Sequence, residues 1–268
     1  MSAWDATTFE AKDNLLRVVQ NEAEGMFDLV EQPGAWTGPT ACAGWQARDV
    51  IGHLIDTTEA YFTSFDAARG TGSAAEPLGV RVMQERVDQG ATAFRSATRE
   101  EAMQRLRGDF AKMMEIFAGL GPDEWAGLVV PHKYMGPLPA FFYPVFQLMD
   151  YGVHSWDIRQ GTGRAHGLSG ETADLLAPFM FVLWQATVNE APGERYELGV
   201  RVLGLADYRV EIGAEGLTYS TGDVSDLAAT IEFDPGSLVL TAFGRVNGGT
   251  VRGDRELADR FLNQFFRI

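Results

Sequence analysis

Of the four histidines in this chain, two stand in segments equipped for chemistry. Gly44 to Leu54 reads Gly-Trp-Gln-Ala-Arg-Asp-Val-Ile-Gly-His-Leu, and Asp150 to Ile158 reads Asp-Tyr-Gly-Val-His-Ser-Trp-Asp-Ile. Both segments are predicted to be helical. Residues four apart on a helix share a face, so Asp150 and His154 can grip one ion together. His53, from a neighbouring helix, can complete a set of two imidazoles and one carboxylate. Such a set suits zinc and also accepts nickel, iron or manganese; three ligands leave positions open for water, a thiolate or a substrate oxygen. A second reading competes. Tyr143, Gln147, Asp150, His154 and Asp157 form a polar stripe opposite Phe141, Phe142, Val145, Phe146, Leu148, Met149, Val153 and Trp156, and a polar stripe is usually a solvated face. Spacing alone leaves both readings open.

Other residues can support or compete with this set. Asp157 can accept a hydrogen bond from a ligand imidazole and fix its tautomer. Asp49, one turn before His53, can do the same, but its place in the first turn of a helix favours a simpler role, complementing the helix dipole. Arg245 is the candidate catalytic residue outside the set, able to clamp a carboxylate of substrate or thiol; the alternative is an exposed arginine near a turn. Arg252 is a weaker version of the same idea. His132, in the loop Val130 to Gly136, can act as acid or base if it reaches the site, although a surface position is the simpler reading, as it is for His166. Cys42 reads as a packed structural cysteine, and Trp45 and Trp156 as core or pocket wall. With no Gly-x-Gly-x-x-Gly, P-loop or Gly-x-Ser-x-Gly, nucleotide-binding and serine-hydrolase readings find no support.

The elements that must position these residues are mostly helices. Thr7 and Glu10 have capping-box spacing ahead of an apolar period that runs to Val30 and stops near Pro33-Gly34. A second helix is predicted from Gln46 to Arg69. A third helical region, Gly79 to Leu120, is broken near Ser96 to Thr98 and restarts with Thr98 and Glu101 at capping-box spacing. Gly121 to Pro139 reads as a loop, followed by helices over Ala140 to Gln160 and Glu171 to Val188. After Pro192-Gly193 the pattern changes to strands: Tyr196 to Leu203, Tyr208 to Ile212, Gly216 to Ser220 and Ala228 to Phe233. Helices over Pro235 to Phe243 and Arg255 to Phe266 flank a short strand, Gly249 to Arg252. The expected organisation is a helical domain over 1–190, including a linking helix at about 171–188, then a small α+β domain over 195–268.

Composition narrows the function. A net charge of −15 and a pI near 4.6 argue against nucleic acid or anionic membrane as partner. Cys42 is the single cysteine, which excludes an intrachain disulfide and cysteine-rich zinc modules and fits a reducing compartment. The N-terminus lacks signal-peptide character, and the most apolar region, Leu175 to Val188, is shorter than a membrane span, so a cytoplasmic location is expected.

Cys42-Ala-Gly-Trp45-Gln-Ala-Arg48-Asp49-Val-Ile-Gly-His53-Leu54 resembles the start of the second helix in DinB-like, mycothiol-dependent maleylpyruvate isomerase proteins. Asp150-x-x-x-His154-Ser-Trp156-Asp157-Ile resembles that family's second metal motif, and Gly136-Pro-Leu-Pro139 the loop before its fourth bundle helix. Ala228 to Pro235, Thr241-Ala-Phe-Gly-Arg245 and Val251 to Phe261 are similar to the sterol-carrier-like domain often joined to this bundle. The resemblance implies a DinB-like four-helix bundle holding a divalent metal, usually zinc, on His53, Asp150 and His154, with the small domain closing over it. It also implies mycothiol, the small thiol of actinobacteria, as cofactor or co-substrate. One departure stands out: the isomerase pattern has Glu where this chain has Asp150, shorter by one methylene. The resulting expectation is a metal-dependent enzyme using a small thiol for S-transfer to, or cis/trans isomerisation of, an electrophilic small molecule. Metal-assisted hydrolysis and a non-catalytic binding module are the alternatives.

Overall fold

A computed structural model of the chain describes residues 3–164, 166–189 and 195–268, which divide into two compact units, Met1–Leu175 and Leu176–Ile268. The first unit carries helices α1 (Lys12–Glu31), α2 (Ala47–Ala68), α3 (Val80–Thr92), α4 (Arg99–Gly119), α5 (Pro122–Gly127) and α6 (Phe142–Gly161). Helix α1 packs against α6 and α4, and α2 packs against α4 and α6, which makes these four a bundle. Its core is the apolar period seen in the sequence: Leu15, Val19, Ala23, Met26 and Val30 of α1 are fully buried, with Ile51, Leu54 and Ile55 of α2. Helix α3 lies along α2, close enough that a Cβ on Gly52 would stand 2.3 Å from the Ala91 carbonyl oxygen.

Local chemistry sets the helix ends. At α4 the capping box forms: Glu101 N–H donates to Thr98 Oγ1 at 3.2 Å, and Thr98 N–H donates to the Glu101 carboxylate at 2.8 Å. At α2, Gln46 N–H donates to Asp49 Oδ2 at 2.8 Å. The box expected from Thr7 and Glu10 does not form. Asp5 Oδ1 accepts from both the amide and the hydroxyl of Thr7, a turn of its own, and α1 is entered through a 3-10 turn over Phe9–Ala11.

The stretch expected to be a loop before α6 is ordered. It holds α5 and a hairpin of β1 (Val129–His132) and β2 (Gly136–Pro139), antiparallel from Val129↔Pro139 to His132↔Gly136, with β1 against α2. Glu124 accepts from Gly121 N–H at the start of α5, and Gly136 supplies the positive φ of 83° that the turn requires.

The predicted helix over 171–188 is three pieces: α7 (Gly170–Leu176), a 3-10 turn (Ala177–Phe179) and α8 (Met180–Thr187). Pro178, lacking an amide proton, interrupts it. The part beyond Leu176, read from sequence with the bundle, groups with the second unit; α8 packs on α9 (Pro235–Ala242) and on strand β5 (Gly216–Thr221), with Phe181 against Tyr208 and Tyr219. The predicted break at Pro192-Gly193 lies outside the described residues. Strands β3 (Tyr196–Val202), β4 (Asp207–Gly213), β5, β6 (Ala229–Phe233) and β7 (Thr250–Gly253) form a sheet in the order β5-β4-β3-β6-β7. The β3–β6 pairing is parallel, the others antiparallel. Helices α9 and α10 (Arg255–Leu262) pack on β6, their first turns capped by Asp234 and Asp254. A helical unit followed by a small α+β unit is the architecture the sequence predicts.

Thr98→Ala removes the side-chain acceptor at the start of α4 and is expected to lower unfolding free energy by about 1 kcal/mol. Urea denaturation followed by circular dichroism checks this, and an unchanged midpoint would mean that the cap does not hold α4.

Candidate metal centre

Helix α2 delivers His53, and α6 delivers Asp150 and His154 one turn apart. His53 Nε2 lies 3.5 Å from Asp150 Oδ1, and the two imidazole rings stand 5.1 Å apart in an edge arrangement. One ligand atom from each of the three residues falls within 4.8 Å of the others. The side chains of His53 and Asp150 keep 17% and 19% exposure, so small molecules can reach the set. Asp150 Oδ2 is buried with no hydrogen-bond partner among the described residues. An unanswered buried carboxylate oxygen is costly, and a cation between these three side chains would answer it. The residues fit a divalent metal.

Asp157 fixes the orientation of His154. Its Oδ2 lies 2.9 Å from His154 Nδ1, which assigns the ring proton to Nδ1 and leaves Nε2 to ligate. Burial pushes the His154 pKa down, against the raising effect of Asp157, and keeps the ring in its neutral, ligating form. Trp45 stands against both imidazoles, with ring centroids 5.5 Å from His53 and 5.9 Å from His154, and its Nε1–H donates to Asp88 at 2.6 Å. Trp45 is thus a wall of this cluster, one of the two roles expected for it.

The solvated-face reading of α6 fails. Tyr143, Gln147 and Asp157 are fully buried and His154 is 8% exposed. The cause is that neighbours cover the helix: α1 packs along it, and the chain before α2 lies on its C-terminal end. That approach is so close that a Cβ on Gly161 would stand 2.0 Å from the Pro39 carbonyl oxygen, and Ala41 N–H donates to the Asp157 carbonyl at 2.9 Å.

The other candidates have separate placements. Asp49 accepts from Arg95 Nε at 2.7 Å and from Gln46 N–H; burial would raise its pKa, but these donors outweigh it and hold the carboxyl below its usual range. Its hydrogen bonds serve the helix start and Arg95. Cys42, read as a packed structural residue, is instead half-buried, and its thiol donates to Asp157 Oδ2 at 3.1 Å. His132, read as a surface residue, is enclosed by Tyr61, Tyr143 and Phe146, and its Nδ1 accepts from the amides of Tyr134 and Met135. His166 rests against Trp156 and bonds its carbonyl. In the second unit, Arg245 Nη1 donates to the carbonyls of Phe243 and Ile268, and Arg252 pairs with Glu232. Sequence reasoning missed Arg95 and the placement of Cys42, because neither shares a helical register with the residue it touches.

The sequence profile of the mycothiol maleylpyruvate isomerase N-terminal domain matches residues 19–159, more than half of the chain and a span that includes His53, Asp150 and His154. The chain belongs to this family. Among solved structures, the mycothiol-dependent maleylpyruvate isomerase matches with a TM-score of 0.61 at 15% identity, over 97% of this chain and 96% of that one. A histidine-to-alanine mutant of that isomerase matches equally in TM-score, at 14% identity and the same coverage. No curated protein matches the sequence. The structural likeness establishes a shared fold with the isomerase along nearly the whole chain.

The enclosure of His132 has a consequence for stability. Burial brings its pKa down to about 4, although the Asp150 charge works the other way. An unfolded histidine takes up its proton near 6.5, so the folded protein resists a protonation that the unfolded chain accepts. The stability from the neutral ring is complete above about pH 6.5 and is lost as pH falls toward 4, at up to about 1.4 kcal/mol per pH unit. Asp109, raised to about 6 by burial and by Glu59, acts in the opposite direction over much of that range. The check is therefore differential: between about pH 7 and about pH 4.5, His132→Asn should lose less stability than the parent. Equal losses would show that His132 does not titrate in this way.

Proposed function

We propose that this chain is a divalent-metal-dependent enzyme that uses a small thiol, mycothiol, to isomerise or S-conjugate a small electrophilic substrate. The observation that carries the reading is the convergence of His53, Asp150 and His154 on one reachable point, backed by the Asp157–His154 hydrogen bond. Family membership supports mycothiol as the thiol and a cis/trans isomerisation as the reaction.

His53, Asp150 and His154 would hold the metal. Bound there, a dication favours thiolate over thiol in an incoming small thiol near neutral pH. The chain offers no cysteine among these three ligands, which suits an external nucleophile. Asp157 keeps the His154 proton on Nδ1, so this ring ligates without having to lose a proton. The Trp45 ring covers one side of the two imidazoles and limits water there. A small thiol held at this point would supply a nucleophile whose reversible addition to an electron-poor alkene would allow cis/trans isomerisation and regenerate the thiol. No oxidant or further reactant is consumed. Displacement of a leaving group by the same thiolate would give an S-conjugate. Asp150, one methylene shorter than the Glu of the isomerase pattern, would hold the metal from α6 on a shorter side chain and is the residue expected to alter reaction preference within the family.

Elemental analysis of purified protein should find one divalent metal per chain, and none in His53→Ala or His154→Ala. Mycothiol should raise the melting temperature only when chelator is absent. A parent protein that is metal-free and also fails to bind added zinc would overturn the reading. Turnover without any thiol would convert it to hydrolysis.

Asp157→Asn retains the three ligands and loses the carboxylate behind His154. It is expected to weaken metal affinity about 10- to 100-fold, read by competition with a chromophoric chelator.

A further inference from the structure

Cys42, His154 and Asp157 form a second triad of metal-capable groups, on the Nδ1 side of the same imidazole. Cys42 Sγ lies 3.1 Å from Asp157 Oδ2 and 3.9 Å from His154 Nδ1, and Nδ1 lies 2.9 Å from Oδ2. Around a tetrahedral ion with the thiolate, imidazole and carboxylate bond lengths of zinc, the corresponding separations are roughly 3.4–3.6 Å, within about half an ångström of those found, and a larger ion such as cadmium would need the three groups to spread further. Asp157 is fully buried and the His154 side chain is 11% exposed. The third is half-buried, between the exposed residues Ala41 and Ala43, so the triad can be reached from that side. The loop is tied down: Ala41 N–H donates to the Asp157 carbonyl, and Cys42 N–H to Thr40 Oγ1. We propose that these three residues are a second cation site, selective for thiophilic divalent ions such as cadmium, and that it competes with the His53–Asp150–His154 set for His154.

The selectivity follows from the sulfur. A thiolate prefers softer ions, whereas the first set offers nitrogen and oxygen alone. Competition follows from the ring. A neutral imidazole has one lone pair for coordination, so an ion on Nδ1 leaves the ring proton on Nε2 and takes His154 from the first set. The balance is simple. The Cys42 thiol proton leaves to solvent, the imidazole proton moves from Nδ1 to Nε2 through solvent, and Asp157 exchanges two hydrogen bonds for the cation. No electron is transferred.

The competition part rests on the proposed metal-dependent function; the binding part does not. Cadmium added to metal-free protein should produce a thiolate charge-transfer band that saturates at one equivalent, and Cys42 is the single cysteine able to give it. The 113Cd resonance of the parent should report one sulfur with nitrogen and oxygen ligands. Asp157→Asn should weaken the binding that produces the band by about tenfold or more. In protein preloaded with zinc, cadmium should release zinc to a chromophoric chelator, and Cys42→Ser should suppress that release at least tenfold. A sulfur-free 113Cd resonance, or a band with equal midpoint in Asp157→Asn, overturns the site. Zinc release unchanged in Cys42→Ser overturns the competition. If no zinc is held at the start, the first-set reading fails, while the band and the resonance still decide the second site.

Discussion

A carboxylate with no exposure must be answered by donors or it destabilises the fold that buries it. Asp157 is answered by His154 Nδ1–H and by the Cys42 thiol, while its backbone carbonyl accepts from Ala41. The rest of the site depends on that arrangement. It sets which His154 nitrogen is available, and the ring then presents its other nitrogen where α2 has placed His53. The loop that supplies Cys42 also leads to Trp45, whose ring covers both imidazoles.

Much of this was legible in the sequence, for physical reasons that differ by element. Helix α2 was bounded to within a residue because its start and finish carry local signals: Gln46 and Asp49 at one end, Arg69 and Gly70 at the other. The restart at Thr98 was legible because a capping box is a contact between residues three apart. The β1–β2 hairpin was not, since Pro131, Pro137 and Pro139 argue against strands; it persists as a short two-stranded piece lying against α2. The start of α1 went wrong because Asp5, outside the expected box, captured Thr7 first.

The helical wheel of α6 shows a different limit. It correctly placed Gln147, Asp150, His154 and Asp157 on one stripe, but a wheel reports polarity and not neighbours. Only the packing of α1, α2 and the loop before α2 reveals that the stripe is interior. The Cys42–Asp157 contact was illegible for a related reason, because no periodicity joins residues on a loop and a distant helix. His132 and His154 make the same point. Burial presses both toward the neutral form, yet one holds the amides of a turn and the other is backed by a carboxylate beside His53.

The attachment of Ala41 and Cys42 to Asp157 also bears on how the unit folds. It closes a loop of more than a hundred residues, so its entropic cost is incurred before its own few hydrogen bonds are gained. The neighbouring helices must already be docked, α1 on α6 and α2 beside them, for Cys42 and Asp157 to meet. Native geometry at the cluster is consequently a late acquisition, and a nascent chain that ends before α6 contains His53 and Cys42 but neither Asp150 nor Asp157, the carboxylates they approach.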